Sequence, residues 1–310
     1  MAMTLLEAAK RASGDVKRGA IIEMFAQSSD LLRALPFDNI SGDALVYDLE
    51  AKLPAVGFRG VNEAYAEGTG IVNPEVERLR IAGGDLDVDK MIIKTRGADI
   101  RAQEEAQKVK ALSLFLSDRL VNGDSTTDVR EFDGFRKRVV GNQLFSANLG
   151  APNANSPLSL EALDAAIDQV DGANVLIMSK AMKRKLAKAA RANLGGDVLV
   201  TVDQFGFRVT TYNDIPILVV DHNHLGQRII DFNEAGPGGG TTASSIYVAN
   251  FGDGFVTGIQ NGEMDVKDLG ELQSGPPVWR TRLEWYVGLA VMHGRALARI
   301  WGITNADVTV

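Results

Sequence analysis

The chain has no cysteine. That excludes disulfides, thiolate catalysis and cysteine-held zinc or iron–sulfur centres, and agrees with folding in a reducing cytoplasm. No apolar run approaches the roughly 18 residues of a membrane-spanning helix, so no membrane partner is expected. The opening Met-Ala-Met-Thr-Leu-Leu-Glu lacks a basic start followed by an apolar stretch, so no secretory signal is expected either. A basic excess is also missing: 33 Lys and Arg stand against 40 Asp and Glu, for a net charge of −7. Tight nucleic-acid binders neutralise phosphates with a positive surplus. This balance argues against sequence-specific DNA binding but not against lying beside DNA without gripping it.

Complete catalytic motifs are missing as well. The densest glycine cluster, Asn-Glu-Ala-Gly-Pro-Gly-Gly-Gly-Thr-Thr-Ala-Ser-Ser at 233–245, has no lysine for a Walker loop. Thr241 stands where a dinucleotide fingerprint needs its third glycine. Pro237 removes a backbone donor from any phosphate nest, and Ile246-Tyr247-Val248 reads as a strand. The cluster is therefore expected to be a mobile loop between two strands. Of the three histidines, His222 and His224 follow Asp221 with a spacing that shares a face on a strand, but two ligands in one loop do not make a metal site. His293 beside Gly294 reads as a turn residue. No Gly-x-Ser-x-Gly elbow occurs. Asp85, Asp87 and Asp89 lack the calcium-loop pattern and read as solvated or interface acids on one strand face. No catalytic residue, cofactor or metal is expected, and the chain does not read as an enzyme.

What the sequence does contain is an unusual order of elements. Leu5, Leu6, Ala9 and Ala12, and then Ile21, Ile22, Phe25 and Ala26, form helical apolar stripes that end at Pro36. Strand-like segments follow at 44–49 and 71–81, with Gly83-Gly84 read as a break and Met91, Ile92 and Ile93 as renewed strand. These roughly fifty residues hold too few apolar side chains for their own core, and a long two-stranded arm is marginal alone; another subunit is the economical support. Residues 99–122 carry Ala102, Ala106, Val109, Leu112, Leu116 and Leu120 at helical spacing, with Glu104 and Lys108 placed for an ion pair. After a Gly/Pro/Asn-rich boundary near 150–157 comes helix, strand, basic helix (Lys180, Lys183, Arg184, Lys185, Lys188, Arg191) and further strands, a small α/β unit with a mixed sheet. The basic helix suits a solvated face, an acidic neighbour or nucleic acid. Alternation at 283–291 and 297–301 about His293-Gly294 predicts a terminal hairpin.

This order resembles the major capsid proteins of tailed phages, the Hong Kong 97-like fold, over nearly the whole chain. The resemblance implies an α+β class with an N-terminal arm at 1–40 and an E-loop hairpin with flanking P-domain strands at 41–95, with Phe58-Arg-Gly-Val-Asn-Glu63 near the tip. A P-domain with its spine helix would take 96–150, the A-domain 151–262, and return strands 263–310. Thr211–Val220 and Ser245–Gly252 resemble A-domain strand-and-turn segments. Cleavable scaffolding domains of some members have no counterpart before the arm, so scaffolding would be separate or unnecessary.

The implied function is a shell protein that assembles into homo-pentamers and homo-hexamers of an icosahedral head around double-stranded DNA. It would assemble in the bacterial cytoplasm and reside in the virion, with scaffolding, portal and decoration proteins as further partners. Intersubunit contacts are expected at Phe25, Leu31, Leu32, Phe37, Phe58, Arg59, Glu63, Glu67, Arg78 and Arg80. Gly236, Gly238, Gly239 and Gly240 are expected at the capsomer axis, where glycine permits different bends. The alternatives are an encapsulin shell on the same fold and a monomeric α/β hydrolase or binding protein.

Overall fold

The computed structural model describes residues 29–65, 67–96, 99–193, 201–202, 208–273 and 275–309. The stripes expected within 1–28, Phe25 included, lie outside them. The strands in chain order are β1 (Phe37–Asn39), β2 (Ala44–Lys52), β3 (Ile71–Arg78), β4 (Arg80–Asp89), β5 (Leu144–Ser146), β6 (Val175–Met178), β7 (Thr201–Val202), β8 (Arg208–Val209), β9 (Thr211–Tyr212), β10 (Ile215–Val219), β11 (Glu234–Gly236), β12 (Gly240–Ala249), β13 (Val256–Gln260), β14 (Asp265–Glu271), β15 (Val278–Val291) and β16 (Leu297–Ile303). The main helices are the spine helix Asp99–Asn122, Leu160–Asp168 and the basic helix Lys180–Asn193.

The first sheet is organised around β15. This strand of 14 residues pairs with β4 and β14 along its first part and with β13 along its second. Its alternation puts Leu283, Trp285, Val287 and Leu289 in the core, as period-2 burial requires. Phe37 on β1 packs against Trp285 with ring centroids 5.1 Å apart, and the Trp285 indole donates to Gln260 Oε1 at 3.1 Å. β1 runs parallel to β13 with Phe37 opposite Gly258. A methyl at Gly258 would fall 2.4 Å from Phe37 Cε1, so only glycine lets the ring lie flat there. Burying an indole over roughly 200 Å² is worth about 5 kcal/mol gross.

Three local expectations differ from the structure. Gly83 and Gly84 do not break β4; they pair with Glu284 and Leu283. A Cβ on Gly83 would sit 2.1 Å from the Leu283 carbonyl, so the glycines serve close strand approach rather than a turn. Met91, Ile92 and Ile93 belong to a helix, Lys90–Arg96: the Asp89 carboxylate accepts the Met91 N–H at 2.7 Å and starts it. The terminal hairpin does not form, because β15 and β16 belong to different sheets.

The second sheet has the order β5-β16-β12-β6-β10-β9, with β11 on β12. It is mixed: β6–β10 and β5–β16 are parallel, while β12 is antiparallel to both its neighbours. Its β9–β10 turn holds Asn213 and Asp214 at φ 47° and 63°, the left-handed pair a two-residue hairpin needs. Ser179 Oγ accepts the Met182 N–H at 3.3 Å and caps the basic helix. A buried Glu234 meets Arg136 and Arg299 and ties the short helix Phe135–Arg138 to this sheet.

The spine helix buries Val109, Leu112, Leu116 and Leu120, and its polar edge grips the first sheet. Arg101 reaches Asp268 at 2.6 Å, and buried Glu105 accepts from Thr281 at 2.9 Å. Arg101 and Glu105 form the helix's own ion pair at 3.4 Å; among the described residues Glu104 and Lys108 do not pair. No helix among them is long and apolar enough to cross a membrane.

Asp85 and Asp87 lie at the solvent surface, as expected, and are paired within the chain. Register sets them opposite Arg282 and Arg280, and both pairs are bidentate, at 2.7 and 2.9 Å for Arg282 and 2.6 and 2.6 Å for Arg280. Hydrogen bonds from these guanidiniums hold both carboxyls below the usual aspartate range. A depressed folded-state pKa stabilises the fold above the unfolded value and loses that stabilisation as pH falls through the folded one. The stability advantage of the wild type over an Asp85→Asn, Asp87→Asn variant is therefore expected to shrink as pH is lowered from about 5 to about 2. Thermal melts across that range check it; an advantage that stays constant would contradict the assignment.

Candidate assembly surface

Among the described residues β2 and β3 pair only with each other, and the segment between them, 53–70, is exposed throughout its described residues. Register sorts the arm into two faces. Val46 lies opposite Val76, Asp48 opposite Pro74 and Glu50 opposite Val72; residues directly across a ladder share a face. Val46, Val72 and Val76 are 63%, 52% and 52% exposed, so one face of the arm presents three valines and Pro74 to solvent beside the exposed Asp48. The tip adds Val56, Phe58, Val61 and Tyr65, all exposed, with Phe58 at 110%. Contiguous exposed apolar surface of this kind marks an interaction site.

The other face is tied to the body at its base. Tyr47 Oη donates to the Val291 carbonyl at 3.0 Å. Arg138 grips Glu77 with both nitrogens, Nη2 to Oε2 at 2.8 Å, and also donates to the Leu289 carbonyl at 2.9 Å. Burial, then the Glu77 charge, pushes the Tyr47 phenol up to about 12, so it remains a hydrogen-bond donor at neutral pH. Both anchors end on the last residues of β15.

The expected contact residues divide into groups. Phe58, Arg59, Glu63 and Glu67 lie in the exposed tip. There Glu63 Oε2 accepts the Gly60 N–H at 2.9 Å, Arg59 donates to the Glu63 carbonyl at 3.3 Å, and Arg59 lies 5.2 Å over the Tyr65 ring. Arg78 ends β3 opposite Ala44, and Arg80 starts β4 opposite Val287. Leu31, Leu32 and Phe37 are instead buried in this chain's own core, at 0%, 1% and 2% exposure; the short helix of Leu31 and Leu32 packs against the spine helix and β10, and Phe37 joins the first sheet. The clustering of valines on one face of the arm is not evident from the sequence alone. Val72, Pro74 and Val76 do alternate with Asn73 and Glu75 there, but the cross-strand register that adds Val46 is absent from it.

The glycine cluster is a tight hairpin turn between β11 and β12 rather than an open loop. A Cβ at Gly236 would lie 2.0 Å from Asn155 Oδ1, and Gly238 donates its N–H to that oxygen at 3.2 Å. Gly239 has φ +78°, while Gly238, Gly239 and Gly240 are exposed. Close packing on Asn155 accounts for Gly236. His222 sits 3.2 Å from Asp221, and His224 packs edge-on to Phe115 at 5.4 Å. No group of three or more metal-ligating side chains occurs among the described residues.

No protein-family model and no curated protein sequence matches the chain. Solved structures do. The holo-SrpI encapsulin complex from Synechococcus elongatus PCC 7942 matches with a TM-score of 0.63 at 15% identity, over 100% of this chain and 99% of that one. The capsid of a native GTA particle matches at TM-score 0.60 and 14% identity, over 89% and 90%. A chain from Microbacterium phage Oxtober96 matches at 0.57 and 14%, over 91% and 91%. The fold is α+β and Hong Kong 97-like.

Replacing Arg138 with alanine would strand Glu77 beside the body and leave the Leu289 carbonyl without its donor, at a cost of roughly 3 kcal/mol. The expected outcome is faster hydrogen exchange and proteolysis confined to 44–78 and the end of β15, with the second sheet unchanged. Exchange mass spectrometry reads it directly.

Proposed function

We propose that this chain, with its Hong Kong 97-like fold, is a shell protein: the major capsid protein of a tailed phage, assembling into pentamers and hexamers of an icosahedral head that encloses double-stranded DNA. The observation that carries this reading is the arm. A two-stranded ribbon that exposes Val46, Val72 and Val76 to water is not independently stable, and burying these valines and the tip on a neighbouring copy supplies what the chain lacks. On this reading 1–40 is the N-terminal arm, 41–95 the E-loop with its flanking strands, 96–150 the spine region, 151–262 the A-domain and 263–310 the return. The turn at Gly236–Gly240 lies near the capsomer axis, and the protein works by contact and not by catalysis. Charged groups at the tip (Arg59, Glu63, Glu67) set register and partner choice more than affinity. The virion is its location, and portal, scaffolding and decoration proteins are its further partners.

A second reading shares the fold and the assembly: an encapsulin-type compartment. It is favoured by the end-to-end match to the SrpI encapsulin, 100% of this chain against 99% of that one. The contents separate the two. Particles purified after nuclease treatment hold protected double-stranded DNA on the phage reading, and a co-purifying protein cargo without DNA on the other.

Assembly itself is tested on the arm. A variant lacking 52–70 is expected to remain folded but to form no closed shells by light scattering and negative-stain imaging. Val46→Lys with Val76→Lys, which alters exposed positions only, is expected to do the same with an unchanged melting curve. Normal shells from both variants would overturn the arm as the assembly element, and a compact monomer of the unaltered chain under all salts and concentrations would overturn the shell reading.

A further inference from the structure

The helix Lys180–Asn193 carries six basic residues and no acidic one, in a chain whose net charge is −7. Met182, Leu186 and Ala190 are buried in the second sheet's core, which fixes what the opposite face presents. At about 3.6 residues per turn, Lys180, Arg184, Lys188 and Arg191 fall within one arc of roughly 80°. All four are exposed. They span roughly 16 Å of helix axis, about one cation every 5 Å, and Lys183 flanks them.

The chain itself occupies only part of this charge. Lys188 Nζ meets Asp307 at 2.7 Å. Lys185 Nζ donates to the Ala306 carbonyl at 2.9 Å and lies 4.8 Å over the Phe232 ring. Burial lowers the Lys185 pKa; the Asp307 charge opposes that shift, and the Arg184 and Lys188 charges add to it. Lys180, Lys183, Arg184 and Arg191 have no ion-pair partner among the described residues. Like charges four apart on a helix each cost a few tenths of a kcal/mol, so the row stands under self-repulsion that a polyanion would relieve.

A second copy of this chain is the poorer partner. Its most regular carboxylate row, Asp85 and Asp87, is already closed by Arg282 and Arg280. The helix itself interleaves no acid or aromatic ring among its cations, and among the described residues Asp307 is the one acid that pairs with the face, at Lys188. A nucleic-acid strand instead offers charge at a regular repeat, about one phosphate per 3.4 Å of axis.

We propose that the exposed face of Lys180–Asn193 is a sequence-independent contact for nucleic-acid phosphates. Its placement toward the contents of a particle rests on the shell reading; the phosphate contact does not. One short basic face on an otherwise acidic subunit gives weak, salt-sensitive contacts repeated over many copies, which holds a polymer near a wall without locking it.

The test uses the full-length chain, dispersed to subunits, and a variant carrying Lys180→Gln, Lys183→Gln, Arg184→Gln and Arg191→Gln. Lys185 and Lys188, which hold residues 306 and 307, are kept, and thermal melts verify folding. Labelled 20-base-pair duplexes of two unrelated sequences are titrated by fluorescence anisotropy across a salt series, with particle size measured in parallel. The unaltered chain is expected to bind both duplexes alike, with a slope of log K against log salt of roughly −3 to −4, and the variant to lose at least tenfold in affinity and most of that slope. No binding by the unaltered chain at low salt, or an unchanged slope in the variant, overturns the proposal. Loss of particles with DNA binding retained overturns it too and assigns the face to subunit contact. DNA binding that disappears in the variant while the unaltered chain stays monomeric supports the phosphate contact and counts against the shell reading alone.

Discussion

The architecture depends on one strand with three partners. β15 takes β4 and β14 along its first part and β13 along its second, and β13 in turn receives β1. The spine helix reaches the same strand through Glu105 and Thr281, and the arm is clamped to the carbonyls of Leu289 and Val291. Each attachment needs β15 straight and in register, and that explains the close-packed glycines at Gly83 and Gly258. Side chains there would push β4 off β15 and Phe37 off β13. The buried row Leu283, Trp285, Val287 and Leu289 holds the strand against the core, and the Arg–Asp pairs at Asp85 and Asp87 hold its register with β4.

Much of this was legible in the sequence where a period or a lack of apolar residues carried the signal. The alternation along 283–291 marks β15, the three-and-four spacing marks the spine helix, and the poverty of apolar residues in 41–95 marks a segment that cannot fold alone. What was not legible depended on which strand lies beside which. Gly83-Gly84 looks like a break until Leu283 is known to run alongside. Asp85 and Asp87 read as surface acids, which they are, but their pairing partners are unknown until Arg282 and Arg280 are placed opposite. The pair of alternating runs at the C-terminus looks like a hairpin because local pattern says nothing about which sheet a strand joins. Met91–Ile93 reads as strand on β-branched content, and only the Asp89 carboxylate turning back on Met91 starts a helix there.

The candidate surface divided along the same line. The exposure of the tip residues is legible because they are polar or aromatic in a segment without a core. The Leu31, Leu32 and Phe37 side chains are apolar for a different reason, since they fill this chain's own interior. The strip formed by Val46, Val72 and Val76 needed a register that no single strand contains. Charge followed a similar rule: the acids near β4 are neutralised within the chain, while the basic helix retains cations with no ion-pair partner among the described residues.

The clamp of the arm on the end of β15 has a mechanical consequence. Tension applied to the arm along its length enters the body at Leu289 and Val291 and runs down a strand bonded on both edges. Force directed along a strand loads its ladder bonds together, whereas force across it opens them one at a time. Because β16 follows β15 into the second sheet within a few residues, the same pull is shared between both layers. The chain is thus built as a tie-bar, stiff along the arm and yielding across it.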